Sequence, residues 1–147
     1  MEQRAATIER KTKETDISLT INLDGTGENE IATGIPFFDH MLNGFARHGL
    51  FDLKVHVTGD LEVDSIIRSR IPGSYWGRQS QQHWEKKRDQ ALRKLLLPMD
   101  ETLAMCAVDL SGRPYLNYQA EFTVEKLGTL DTEMIREFFY AVSYSAA

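Results

Sequence analysis

Hydrophobic and polar residues alternate from Ile17 to Leu23, with Ile17, Leu19, Ile21 and Leu23 on one side and Ser18, Thr20 and Asn22 on the other. A repeat of two is that of a half-buried strand, and Asp24-Gly25-Thr26-Gly27 predicts the turn that closes it. Ile31 opens a return strand that leads into a helix over Phe37 to Ala46, where Phe38, Met41, Leu42 and Phe45 recur at helical spacing. After Gly49 the alternation resumes, Leu53, Val55 and Val57 against Lys54, His56 and Thr58, a strand that turns His56 toward solvent. LAMCAVDL, from Leu103, predicts a buried strand, Ser111-Gly112-Arg113-Pro114 a turn, and Tyr115 to Val124 its partner strand. Asp131 or Thr132 can cap a last helix with Met134, Ile135, Phe138, Phe139 and Val142 on a broad apolar face. That helix shows no stop signal, so its apolar face is expected to await a partner absent from the chain. Strand, strand, helix, strand, then strand, strand, helix predicts an α+β fold with two similar halves.

Composition leaves this picture in place and adds one anomaly. With 147 residues, 41% of them hydrophobic, the chain suits a single domain. No apolar run reaches the about 18 residues of a membrane span, and no basic, apolar leader is visible, so a cytoplasmic location is expected. Cys106 is the only cysteine, which excludes an internal disulfide and fits a reducing compartment; its apolar setting predicts a small buried hydrophobe. The net charge of -5 is unevenly spread: Ser65 to Lys94 carries 8 basic and 2 acidic residues, the remainder 9 basic and 20 acidic. Trp76, Trp84 and the glutamines between Gln79 and Gln82 fall in the same basic segment.

The candidate chemistry lies on the first helix. His40, Gly44 and Arg47 follow a line beside the apolar stripe, with His48 next to it. A lone histidine near an apolar face is most simply structural; two imidazoles and a guanidinium on one face suit an anion together with a metal or an aromatic ring.

Five blocks carry a resemblance: KTKETDISLTINLDGTG (Lys11 to Gly27), TGIPFFDHMLNGFARHG (Thr33 to Gly49), DLKVHVTGDLEVD (Asp52 to Asp64), PMDETLAMCAVDLSGRPYL (Pro98 to Leu116) and Gly128 to Ala147. In order and spacing they closely resemble the imidazoleglycerol-phosphate dehydratases. The resemblance implies a lyase of histidine biosynthesis that converts imidazole glycerol phosphate to imidazole acetol phosphate with two manganese ions per site. It implies a ribosomal protein S5 domain 2-like fold of two half-domains, the second incomplete here, in a single domain over residues 1–147. It also implies a large cubic homo-oligomer of twenty-four subunits in the cytoplasm. By the same resemblance His40 is a metal ligand, His40, Arg47 and His48 line the substrate, and Glu14 and Arg113 contact it. The chemistry suits these residue types: a metal holding the imidazole as imidazolate accepts the electrons left by the departing proton. Glu14 is then a candidate acid/base group, and Arg113 a forked donor for phosphate. By composition alone, Glu14 is a solvated charge among lysines and Arg113 an exposed turn residue.

One segment departs from the family pattern. A His-His pair with Glu three residues later is expected after Asp64, but Ile66 and Ile67 stand at the histidines and Arg70 at the Glu. A second copy of the motif, with a further ligand histidine, would fall beyond Ala147. Of the expected ligands His40 alone is present, and one imidazole does not hold two divalent ions. The codons of Ile66 to Gly73 can be written so that the neighbouring frame reads His-His-Thr-Val-Glu-Asp-Thr-Gly. Ser65 to about Leu97 is therefore expected to be an aberrant, out-of-frame segment without native order, and the chain to be inactive as written. The alternatives are a catalytically dead fragment and a module whose basic, Trp-containing segment binds nucleic acid or another anion.

Overall fold

The computed structural model of the chain describes residues 4–13, 15–59, 92–109 and 111–145. Four strands form its principal sheet: β1 (Ala5–Lys11), β2 (Thr15–Asn22), β3 (Asn29–Ala32) and β4 (Asp52–Gly59), in the order β1-β2-β4-β3. Helix α1 (Pro36–Gly49) links β3 to β4. The alternation in β2 and β4 does what its period requires. Ile17, Leu19, Ile21, Leu53, Val55 and Val57 are buried on one face, while Ser18, Thr20, Lys54 and His56 stand on the other. Each of those core side chains contributes roughly 1.5–3 kcal/mol relative to exposure.

The return strand expected from Ile31 pairs differently. β3 runs parallel to β4, with Ile31 opposite Val55, and does not touch β2. The crossover through α1 makes that pairing possible, because parallel neighbours need a connection longer than a hairpin turn. β1 pairs antiparallel with β2 from Ala5 opposite Asn22 to Lys11 opposite Asp16. Its end is tied to the β2 turn by Arg4, whose backbone N–H and Nε donate to Asp24 at 3.0 and 2.9 Å.

α1 begins one residue earlier than the apolar spacing suggests, with Pro36 in its first turn, where a missing N–H costs nothing. Phe38, Leu42 and Ala46 face the core, but Met41 is 53% exposed and Phe45 36%. The buried line thus runs i, i+4, i+8, and only half of the expected stripe is core. Phe45 turns aside to pack on Phe51, ring centres 4.7 Å apart. Leu50 closes the helix with φ 56°, a left-handed cap that glycine would take without strain. Gly49 serves another end: a Cβ there would meet the Phe51 ring at 2.1 Å.

Beyond the principal sheet, β5 (Leu92–Met99) and β6 (Thr102–Asp109) form a hairpin in full register, Leu92 opposite Asp109 to Met99 opposite Thr102. Two expectations change. β6 takes its partner from before it, across the two-residue turn Asp100-Glu101, and Tyr115 to Val124 forms no strand. A turn of two residues closes at small entropic cost, and β6 takes that neighbour although the expected partner begins only six residues after β6 ends. Leu92 to Leu97, expected to lack order, belongs to β5; the rest of the aberrant segment up to Ala91 lies outside the described residues. Cys106 is exposed, not buried, because neither face of this hairpin is covered.

β7 (Lys126–Leu127) and β8 (Leu130–Asp131) make a short ladder before α2 (Glu133–Ser145). The apolar face of α2 is not left waiting. Leu130 and Met134 lie in the same core as Ile17 and Phe38, and Phe138 meets the Phe38 ring edge-on at 5.6 Å. Phe139 and Tyr144 remain 43% and 46% exposed. Thr132 precedes the helix, but its hydroxyl donates backward to the carbonyls of Val124 and Glu125, at 3.1 and 3.0 Å. The result is an α+β fold in which α1 and α2, the helices among the described residues, share one core with the buried face of the principal sheet.

Candidate functional site

α1 offers one side to the core and the other to solvent. His40, Arg47 and His48 all lie on the exposed side. At 1.5 Å per residue, His40 and His48 are about 12 Å apart along the axis, a span that fits a small molecule with a ring at one end and an anion at the other. Gly44 sits between them, and a Cβ added there meets nothing within 4 Å. The surface between the imidazoles is therefore open. The Phe37 ring lies 6.5 Å from that of His40, tilted by 44°. Arg47 and His48 also occupy the last turn of α1, where positive charge complements the helix dipole.

Two carboxylates that the sequence reading passed over hold this helix in place. At its start, Asp39 reaches back to Thr33, which is fully buried, and accepts its N–H at 2.9 Å and its hydroxyl hydrogen. Thr33 in turn accepts the N–H of Ile35, at 3.3 Å, so the approach to α1 is fixed by side chains although Ile35, at the cap, offers none. At the other end Asp52, on β4, accepts the backbone N–H of Thr26 at 2.8 Å and of Glu28 at 3.1 Å, and the Asn22 amide at 3.0 Å. The Thr26 N–H, first, and then these other donors hold its carboxyl below the ordinary carboxylate range. The loop so anchored passes against α1: Gly27, at φ 93°, lies so close that a Cβ would meet the Arg47 backbone at 3.3 Å. Asp39 stands in the first turn of α1 and Asp52 at the start of β4. The loop-to-strand spacing, 26 residues from Thr26 to Asp52, gave no local signal.

The other candidates are elsewhere. Arg113 is exposed on the bend after β6, and no hydrogen bond or ion pair joins it to α1 among the described residues. Glu14 lies outside the described residues. A cleft of about 200 Å³ lies across β2, β3 and β4, lined by Ser18, Glu30, Ala32, Lys54, Val55 and His56. It opens on the sheet face opposite α1, away from His40. Among the described residues no three His, Cys, Asp or Glu side chains are grouped to hold a metal, and no helix is long and apolar enough to cross a membrane.

By class the chain is an α+β domain that carries two imidazoles and a guanidinium on the solvent side of its first helix. The family model of imidazoleglycerol-phosphate dehydratase matches residues 33–147. The imidazoleglycerol-phosphate dehydratase of Lachnoclostridium phytofermentans is 58% identical over 144 residues, 97% of this chain and 74% of the relative. That of Acetivibrio thermocellus is 51% identical over 140 residues, 95% of this chain and 72% of the relative. The crystal structure of the Staphylococcus aureus enzyme superposes with a TM-score of 0.82 at 33% identity, covering 97% of this chain and 78% of that one. The chain belongs to the imidazoleglycerol-phosphate dehydratase family, hydro-lyases that dehydrate imidazole glycerol phosphate in histidine biosynthesis.

Proposed function

We propose that the open side of α1 is the substrate side of a dehydratase site whose metal half this chain no longer supplies. The observation that carries the reading is the exposed row of His40, Arg47 and His48 on a helix that buries Phe38, Leu42 and Ala46 in the core. In this reading His40 is the ligand contributed to manganese, Arg47 and His48 lie along the imidazole glycerol phosphate, and Arg113 grips its phosphate with a forked guanidinium. Glu14 is the carboxylate that would exchange a proton with the carbons losing water in an intact site of this kind.

The residues present do not fit two manganese ions. His40 has no second metal-donor side chain grouped with it among the described residues. Isoleucine at positions 66 and 67 has no lone pair to give, and Arg70 repels a cation. No catalytic step therefore runs through a metal in the chain as written, and the chain is inactive. The proposed setting is cytoplasmic, and the proposed state is a homo-oligomer, supported by the β5–β6 hairpin. Leu95, Leu96, Leu97, Met99, Leu103 and Met105 on that hairpin are all more than half exposed.

The test is a stopped assay of the purified chain with imidazole glycerol phosphate and manganese, following imidazole acetol phosphate. No product above a no-protein control is expected. Manganese-dependent turnover by this polypeptide refutes the inactivity.

A further inference from the structure

We infer that Ser65 to about Leu97 is native coding sequence read in the wrong frame, the mismatch between this chain and its metal site being a change of frame and not of sequence. The inference rests on the dehydratase reading. Ile66 to Gly73 can be written ATC ATA CGG TCG AGG ATA CCG GGA; begun one base earlier, with C, it reads His-His-Thr-Val-Glu-Asp-Thr-Gly. The same frame continues through Lys87. Ser74 to Arg88 can then read Ile-Leu-Leu-Gly-Gln-Ala-Ile-Ala-Ala-Ala-Leu-Gly-Glu-Lys-Lys, the first codon taking its leading base from Gly73 and the last only two bases from Arg88. From Asp89 to Lys94 the third frame reads Ile-Lys-Arg-Tyr-Gly after a Gly, and the frame as written returns by Pro98. Three single-base losses produce this pattern and shorten the chain by one residue.

Each codon of the neighbouring frame takes its second and third letters from the codon as written, so only a handful of residues is open at each position. Physical coherence over two dozen positions is therefore informative. As written, residues 71–87 have Pro72, Gly73 and Gly77 and no helical repeat of apolar residues. In the neighbouring frame the same bases give Leu, Ile, Ala and Leu at helical spacing, closed by a Gly stop, which is an amphipathic helix. The local excess of positive charge, the paired tryptophans and the glutamine patch vanish with it.

The deciding measurement is a fresh read of the gene, both strands, across codons 64 to 98. Codon 65 ending in C, Ile66 as ATC and Ile67 as ATA, with an open neighbouring frame through codon 87, are expected. Any other choice at those letters overturns the inference while leaving the family membership untouched. Manganese titration of the chain as written, read by electron paramagnetic resonance of the free ion, separates the frame from the site. The chain as written is expected to leave the free-ion signal unchanged, and retention of two ions per chain overturns the claim that its metal motif is lost. If the re-framed full-length gene yields protein that also leaves the signal unchanged, the proposed metal site falls and the frame stands.

Discussion

Asp39→Ala should unfasten the start of α1. The carboxylate accepts two hydrogens from Thr33, a residue with no exposed surface, and Thr33 passes the restraint to the Ile35 N–H. A hydrogen bond to a charged group contributes about 1.5–3 kcal/mol net, and the two share one oxygen and are not additive, so the loss is about 2–3 kcal/mol. For a chain of this size that lowers the midpoint of thermal unfolding by roughly 5–10 °C. Asp39→Asn keeps an acceptor without its charge and should cost about 1 kcal/mol. Glu30→Ala is the control: its pairing with Lys54 at 3.9 Å, both side chains largely exposed, is worth less than about 0.5 kcal/mol. Urea unfolding followed by far-ultraviolet circular dichroism measures all three. An Asp39→Ala variant within about 0.5 kcal/mol of the parent would refute the capping role, because burial of its partner leaves water no access to replace the acceptor.

Asp52 predicts an acid limb of stability. Its folded carboxyl titrates below the ordinary range, so its contribution is fully present above the ordinary carboxylate value and is lost as pH falls through the depressed one. Asp52→Asn should flatten that part of the stability curve between neutral and strongly acid pH, measured as the urea midpoint; an unchanged curve counts against it. Gly44→Ala should stabilise α1 by about 0.5–1 kcal/mol, since glycine is costly inside a helix and the added methyl meets nothing within 4 Å; a lower urea midpoint than the parent's sinks the claim. Met105→Glu, at a side chain 77% exposed on the hairpin, should shift sedimentation toward smaller species without lowering the unfolding midpoint. An unchanged sedimentation profile refutes a role for that face in assembly.

Much of this fold is legible in the residues because its signals are local. β2 and β4 show their alternation over eight residues each, and α1 its helical spacing and proline start. β1 gives little warning: Ile8 is its only large apolar residue, and it exists as a strand because β2 offers an edge. The parallel pairing of β3 depends on a strand more than twenty residues away, which no local pattern encodes. The solvent-facing set on α1 follows from spacing alone, since His40, Arg47 and His48 fall off the apolar line. Asp39 and Asp52 escape notice because a carboxylate's partner is a matter of fold, and backbone N–H groups have no letter in the sequence. Cys106 was misread for a related reason. Burial is a property of what lies above a side chain, and the apolar neighbours of Cys106 along the strand do not supply it.

That thiol makes the hairpin its own reporter. Cys106 is the sole sulfhydryl of the chain and stands in the open on β6, opposite Leu95. A thiol-selective dye therefore labels one known point, and the rate of labelling becomes a clock for whatever comes to rest on the hairpin. A free chain takes up the dye as fast as a small thiol peptide of like charge; a chain whose hairpin is occupied does so only as often as the cover lifts. Labelling rate against protein concentration would then read the occupancy of this surface directly, in dilute solution and without any substrate.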